Sequence, residues 1–151
     1  NLGAVNLAAF VNDEGVLDRQ SLKETVRTSI RFLDDVIDST PYFFEENKEA
    51  QMNIRRTGLG TMGLADALIK SKIVYGSDEA VAWCEDVYGL IRDEAYRMSA
   101  EIAEEKGAFP KFDKDKFMQG KFIQRLPDDV QDHLLALRNL IRDAKSRKRT
   151  P

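Results

Sequence analysis

The six residues Gly58-Leu59-Gly60-Thr61-Met62-Gly63 carry the spacing G-x-G-x-x-G. In dinucleotide-binding proteins this pattern lets a tight turn deliver a helix N-terminus to a pyrophosphate. That chemistry needs a buried strand leading into the turn. Met52 to Thr57 follow a charged helical stretch and do not read as one, although Asp78 lies 20 residues beyond Gly58. The expectation is that these glycines let a helix approach its neighbours closely; measurable NAD binding would mark the dinucleotide reading. Asp34, Asp35 and Asp38, then Glu45, Glu46 and Glu49, raise metal or acid–base chemistry. A di-iron bundle takes two Glu-x-x-His pairs on facing helices, and this chain has a single histidine, His133, and no such pair. Solvated helix faces are expected for these acids. His133 has no nucleophile nearby to make a triad and is expected at the surface or partly packed. Cys84, the lone cysteine, falls on an apolar helical stripe and reads as a buried structural thiol, because reactive thiols need exposure and a cationic setting. From Arg138 onward six basic residues accompany one acid, Asp143. They could neutralise phosphates, but no aromatic is present to stack on bases, and an exposed tail is expected.

The elements that would position these residues are mostly helical. Residues 1–11 are apolar and uncharged, as in a buried strand or a core-facing loop. Asn12-Asp13-Glu14-Gly15 supplies a turn. Ser21 with Glu24 reads as a capping box for a helix whose apolar stripe is Leu22, Val26, Ile30, Leu33 and Ile37, and Ser39-Thr40-Pro41 ends it. A short exposed helix is expected over Glu45 to Gln51, and another helical stripe over Leu64, Ala65, Leu68 and Ile69. Ser77 caps the longest helix, with Val81, Cys84, Tyr88, Ile91, Ala95, Met98 and Ile102 as its buried face. Gly107 and Pro110 stop it. Residues 108–126 look irregular, anchored by Phe109, Phe112, Phe117 and Phe122. Pro127 opens a last helix with the stripe Val130, Leu134, Leu137 and Ile141.

Composition excludes several classes. The chain has 151 residues, 42% hydrophobic and 32% charged, the balance of a folded domain rather than a disordered one. A net charge of −3 does not call for a nucleic-acid or membrane partner. No apolar run reaches the roughly 18 residues of a membrane span, and no signal peptide opens the sequence. One cysteine precludes an internal disulfide and suits a reducing, cytoplasmic compartment. The first residue is Asn1 rather than methionine, as in a processed product or a fragment.

Several stretches together resemble one family. Arg55-Arg56-Thr57-Gly58-Leu59-Gly60-Thr61-Met62-Gly63-Leu64-Ala65-Asp66-Ala67-Leu68-Ile69-Lys70 looks like part of the catalytic chain of ribonucleotide reductases, most closely the adenosylcobalamin-dependent class. Asn1-Leu2-Gly3-Ala4-Val5-Asn6-Leu7 is similar to the strand that follows a redox-active cysteine there. Phe32 to Asp38 resembles the end of the next helix, Glu104 to Pro110 a later helix exit, and Leu137-Arg138-Asn139 an element further on. The likeness covers residues 1–139, leaving 140–151 as a divergent basic tail.

The resemblance implies a mainly α chain, forming the helical portion of a ten-stranded α/β barrel with about one barrel strand at the N-terminus. It implies reduction of ribonucleotides to 2′-deoxyribonucleotides by a thiyl radical, for deoxyribonucleotide biosynthesis and DNA replication, with adenosylcobalamin as radical source and a cysteine pair supplying the electrons. The implied partners are the remainder of the reductase chain, the ribonucleotide and a thioredoxin-like reductant, with no membrane or nucleic acid. The family's Asn-x-Cys-x-Glu radical loop and redox cysteine would precede Asn1. Its Pro-Thr-Gly phosphate loop would follow Asn139, where Leu140-Ile141-Arg142-Asp143 stands instead. No catalytic residue therefore carries over, and Cys84 matches none. Leu2 is the one residue expected to face substrate. By itself the piece is expected to be inactive. A second reading, from a different class, is a free-standing helical interaction module without catalysis.

Overall fold

The computed structural model describes residues 1–135, which form two compact units. The basic tail, with Arg138, Leu137 and Ile141, lies outside the described residues.

The first unit comprises Asn1–Leu33 and Thr57–Ala95. It begins with β1 (Leu2–Asn6), which runs into one 3-10 turn over Leu7–Phe10. The turn over Asn12 to Gly15 forms as expected: Gly15 takes φ +85° and the Asn12 side chain accepts from the Val16 amide at 2.7 Å. Helix α1 (Arg19–Ser39) follows. Its cap differs from the capping box read in the sequence. Asp18, not Ser21, is the capping residue, and its carboxylate accepts from both the amide (3.0 Å) and the hydroxyl (2.7 Å) of Ser21. An Asp three residues before a Ser offers the same capping chemistry one turn earlier.

After helix α2 (Glu45–Ile54), residues Gly58–Met62 form a second strand, β2, parallel to β1 in the register Leu2↔Gly58, Ala4↔Gly60 and Asn6↔Met62. Two expectations are corrected here. Gly58 and Gly60 sit in a strand rather than a helix, and the sheet among the described residues has two strands where about one was expected. Gly-Leu-Gly-Thr-Met has weak strand propensity, so only pairing with β1 makes it extended. Helix α3 (Leu64–Lys70) begins at Gly63, which has φ +71°.

Helix α4 (Asp78–Lys106) starts at Ser77, whose hydroxyl accepts from the Ala80 amide at 3.1 Å. Its buried residues include Ala80, Val87, Leu90 and Ile91, while Val81 and Tyr88 are exposed. The expected stripe is thus rotated in the first half of the helix. Apolar residues there occupy every side (Ala80, Val81, Trp83, Cys84, Val87, Tyr88), so spacing alone fits more than one face. The core of this unit joins Val5, Leu7 and Val11 to Leu22 and Val26 of α1, Ala67 of α3, and Val87, Leu90 and Ile91 of α4.

The second unit comprises Asp34–Arg56 and the described residues from Tyr96 on. Gly107 ends α4 at φ +86°, as expected of a left-handed cap. Phe109, Phe112 and Phe117 form a chain of ring contacts with centroids 5.3 Å apart at each step, and Phe122 lies against Tyr96 at 5.8 Å. The segment read as irregular contains a short helix, α5 (Lys114–Met118), capped by Asp113. Ile123, Leu126 and Val130 make a small core with Leu134 against it, on a final helix, α6, described over 128–135. No helix among the described residues is long and apolar enough to cross a membrane.

Candidate functional site

Side chains alternate across a strand, so each residue pair of the β1–β2 register lies on one face of the sheet. Gly3, Val5, Leu59 and Thr61 point to the helix-covered face, where Val5 is buried and Leu59 packs on the core. Thr61 also exchanges a 2.7 Å hydrogen bond with the Tyr88 hydroxyl. Among the described residues, nothing covers the other face. Leu2 is 88% exposed, Met62 58%, and Ala4, Asn6 and Gly60 are exposed as well. An exposed leucine beside a floor of Gly58, Ala4 and Gly60 is an apolar, low-relief surface open to close approach.

The glycines of this face do different work. A Cβ on Gly63 would run into Asn6 Oδ1, and its φ of +71° is one that L side chains resist. A Cβ on Gly60 would meet only the Gly3 carbonyl oxygen, at 3.7 Å. Gly63→Ala is therefore expected to cost about 2–4 kcal/mol of stability through backbone strain and displaced Asn6. Gly60→Ala should be neutral or stabilising by up to about 1 kcal/mol. Urea midpoints of the two variants, side by side, check this; equal losses would contradict it.

At the open edge of β1 lies a groove of about 670 Å³, floored by Leu2, Gly3 and Ala4 and walled by Thr25, Ser29 and Phe32 of α1. Its one ionisable lining residue is Glu24. Among the described residues the groove carries a carboxylate and no cation, a lining that does not suit a phosphate group.

The expected acidic clusters part company. Glu45, Glu46 and Glu49 are exposed on α2. Asp34, Asp35 and Asp38 instead converge, with carboxylate oxygens within 4.8 Å of one another, and Asp34 is 8% exposed. For Asp34 the solvated-face expectation is corrected: two cations hold it. Arg55 donates Nε (2.8 Å) and an Nη (2.8 Å) to Asp34 and both Nη atoms to Asp38 (2.7 and 2.8 Å). Lys106, the last residue of α4, reaches all three aspartates at 2.8, 2.6 and 2.8 Å. Burial pushes the Asp34 carboxyl up, but hydrogen bonds and charge from Arg55 and Lys106 overcome it and hold it below the usual carboxylate range. Hydrogen bonds from the same pair hold Asp38 well below that range. The space a metal would take is filled by an ammonium, so the cluster is an ion-pair network.

The other singled-out residues do not assemble with these. Cys84 is half-buried on α4 in the first unit. His133 lies on α6 in the second, half-buried, and its Nε2 has no hydrogen-bond partner among the described residues. Arg55, Lys106 and Asn1 were not identified from the sequence. The usable signal was the 34, 35, 38 spacing, which places three acids on one helix turn and calls for cations.

β1 and β2 thus form a parallel pair with helices on one face and, among the described residues, nothing on the other. The family model for the ribonucleotide reductase barrel domain matches residues 1–147. The chain is 46% identical over 110 residues to the vitamin B12-dependent ribonucleoside-diphosphate reductase of Thermoplasma acidophilum, and 44% identical over 117 residues to that of Mycobacterium tuberculosis. These alignments cover 73% and 78% of the chain. Against the ribonucleoside-diphosphate reductase subunit alpha of Chlamydia trachomatis it is 38% identical, with 98% of the chain covered. The chain belongs to the ribonucleotide reductase barrel-domain family. It spans 14%, 17% and 14% of the lengths of these three relatives.

Proposed function

We propose that this chain is part of the barrel of a ribonucleoside-diphosphate reductase, with Leu2 on the wall that faces the ribonucleotide. Residues 1–139 form the barrel segment on this reading, and 140–151 are a divergent tail. The observation that carries it is the bare sheet face: Leu2 is 88% exposed beside a glycine floor, at the sequence position where the resemblance expects substrate. Leucine there would contact the apolar side of a sugar, and phosphates would be held elsewhere, since no cation among the described residues lines the adjoining groove. The reaction removes the 2′-hydroxyl as water and oxidises a dithiol to a disulfide. Cobalamin dependence is supported by the names of the Thermoplasma and Mycobacterium relatives. His133 is the one imidazole in the sequence that could offer a nitrogen to cobalt, and its Nε2 is buried. The corrin would be held by other polypeptide. The reductant and the cytoplasmic setting belong to this reading too.

The test is a segment swap. These residues should replace the matching segment of the Thermoplasma reductase with adenosylcobalamin-dependent reduction of ribonucleoside diphosphates retained. In the same swap Leu2→Ala should lower kcat/KM about tenfold, the effect of roughly 1.4 kcal/mol of lost apolar contact. A folded swap with no reduction would oppose the proposal, and unchanged kcat/KM in Leu2→Ala would remove Leu2 from it.

A further inference from the structure

The start of β1 is held from two directions at one residue. The Asn1 backbone carbonyl accepts from the Gly58 amide at 3.0 Å, closing the first rung of the sheet. The Asn1 side-chain amide reaches the other way and donates to the Leu33 carbonyl oxygen at 2.5 Å. A carbonyl can only accept, so the orientation of this amide is fixed by chemistry. Leu33 sits well inside α1, and its oxygen has a second lone pair to offer beyond the helix ladder. Its side chain is 3% exposed and lies 3.6 Å from where a Cβ of Gly3 would stand. Helix and strand are thus joined by a polar clamp at Asn1 and an apolar contact at Gly3, on either side of Leu2. Leu2 has no comparable restraint of its own, being exposed with its Cδ2 over Gly58.

We propose that Asn1 is a positioning residue: by clamping the first rung of the sheet to α1, its side-chain amide fixes the aim of Leu2 into the bare face where the ribonucleotide lies. This rests on the function proposed above. A plain structural bond would explain the donor but not its place, one residue before the exposed leucine. Misplacing a contact group by about 1 Å is enough to cost up to 10²-fold in rate.

The experiment has two arms. In the 151-residue chain, Asn1→Asp keeps the shape and loses the donor, and exchange of the Gly58 amide hydrogen should quicken at least tenfold, while Asn1→Gln, which keeps a donor, should stay within about threefold of the parent. Unchanged exchange in Asn1→Asp would overturn the clamp whatever the reaction is. In the segment swap, Asn1→Asp should lower kcat/KM about tenfold, Asn1→Gln should recover most of it, and Asn1→Asp combined with Leu2→Ala should be no worse than Leu2→Ala alone. Additive losses in that cycle would overturn the positioning role and leave a structural bond. Absence of reduction in the unsubstituted swap would remove the reading beneath the proposal, and the proposal with it, while the exchange arm still reports on the clamp separately.

Discussion

Arg55→Ala should destabilise the protein by about 2–3 kcal/mol at pH 7, lowering the melting temperature by roughly 5–10 °C for a chain of this length. Arg55 stands in a left-handed backbone conformation at φ +49°, ending α2 with its amide on the Gln51 carbonyl at 2.7 Å. Alanine keeps that backbone cost and loses the guanidinium. Asp34, whose side chain is 11% exposed, then keeps Lys106 and loses its bidentate partner. Removing one partner of a fully buried pair costs about 3–5 kcal/mol; the half-exposed Asp38 and the remaining ammonium place this case lower. Lys106→Met should cost less, about 1–2 kcal/mol, because Arg55 still meets both aspartates.

The pH dependence has a definite sign. Asp34 and Asp38 are held below their ordinary values, so the native state binds fewer protons than the unfolded chain as acid is added. Their contribution is complete above an unfolded carboxylate value of about 3.9 and is lost as pH falls through the folded values. The gap in urea midpoint between parent and Arg55→Ala should be full at pH 7 and narrow toward pH 3. A gap that is absent at pH 7, or that widens in acid, would show that the network does not bear on stability.

Legibility followed locality. The helix boundaries at Ser77 and Gly107, the turn at Gly15 and the α1 stripe through Leu22, Val26, Leu33 and Ile37 were readable, since capping, positive φ and periodicity are written in neighbouring residues. The second strand was not. Gly58–Met62 becomes extended only through Leu2–Asn6, more than fifty residues earlier, and no local signal encodes that pairing. The Arg55–Asp34–Lys106 network was hidden for the same reason: its members are separated by up to 72 residues. Asn1 was invisible because an asparagine beside an apolar run announces nothing until its carbonyl partner is placed. Leu2 was singled out by resemblance alone; that it is an exposed leucine on a strand was not legible, because the face it takes depends on the register with β2.

The 151-residue chain, supplied with ribonucleoside diphosphate, adenosylcobalamin and excess dithiothreitol, should form no deoxynucleotide above a Cys84→Ser control. Replacing a C–OH by C–H takes two electrons, and the mechanism implied by the family draws them from a cysteine pair, with a further thiol as radical. This chain carries one sulfhydryl. Cys84 is half-buried on α4 in a sequence of apolar and acidic neighbours. Neither an internal disulfide nor the division of labour between radical and reductant can arise from a single thiol. The bare face of the sheet can offer apolar contact to a sugar, but binding that is equal in ground and transition states does not accelerate the chemical step. Product from the isolated chain that disappears in Cys84→Ser would assign chemistry to that thiol and undo this account; product that persists in the variant would point to a contaminating reductase. Restoration of reduction in the segment swap, against silence from the chain alone, is the paired outcome that the proposed function requires.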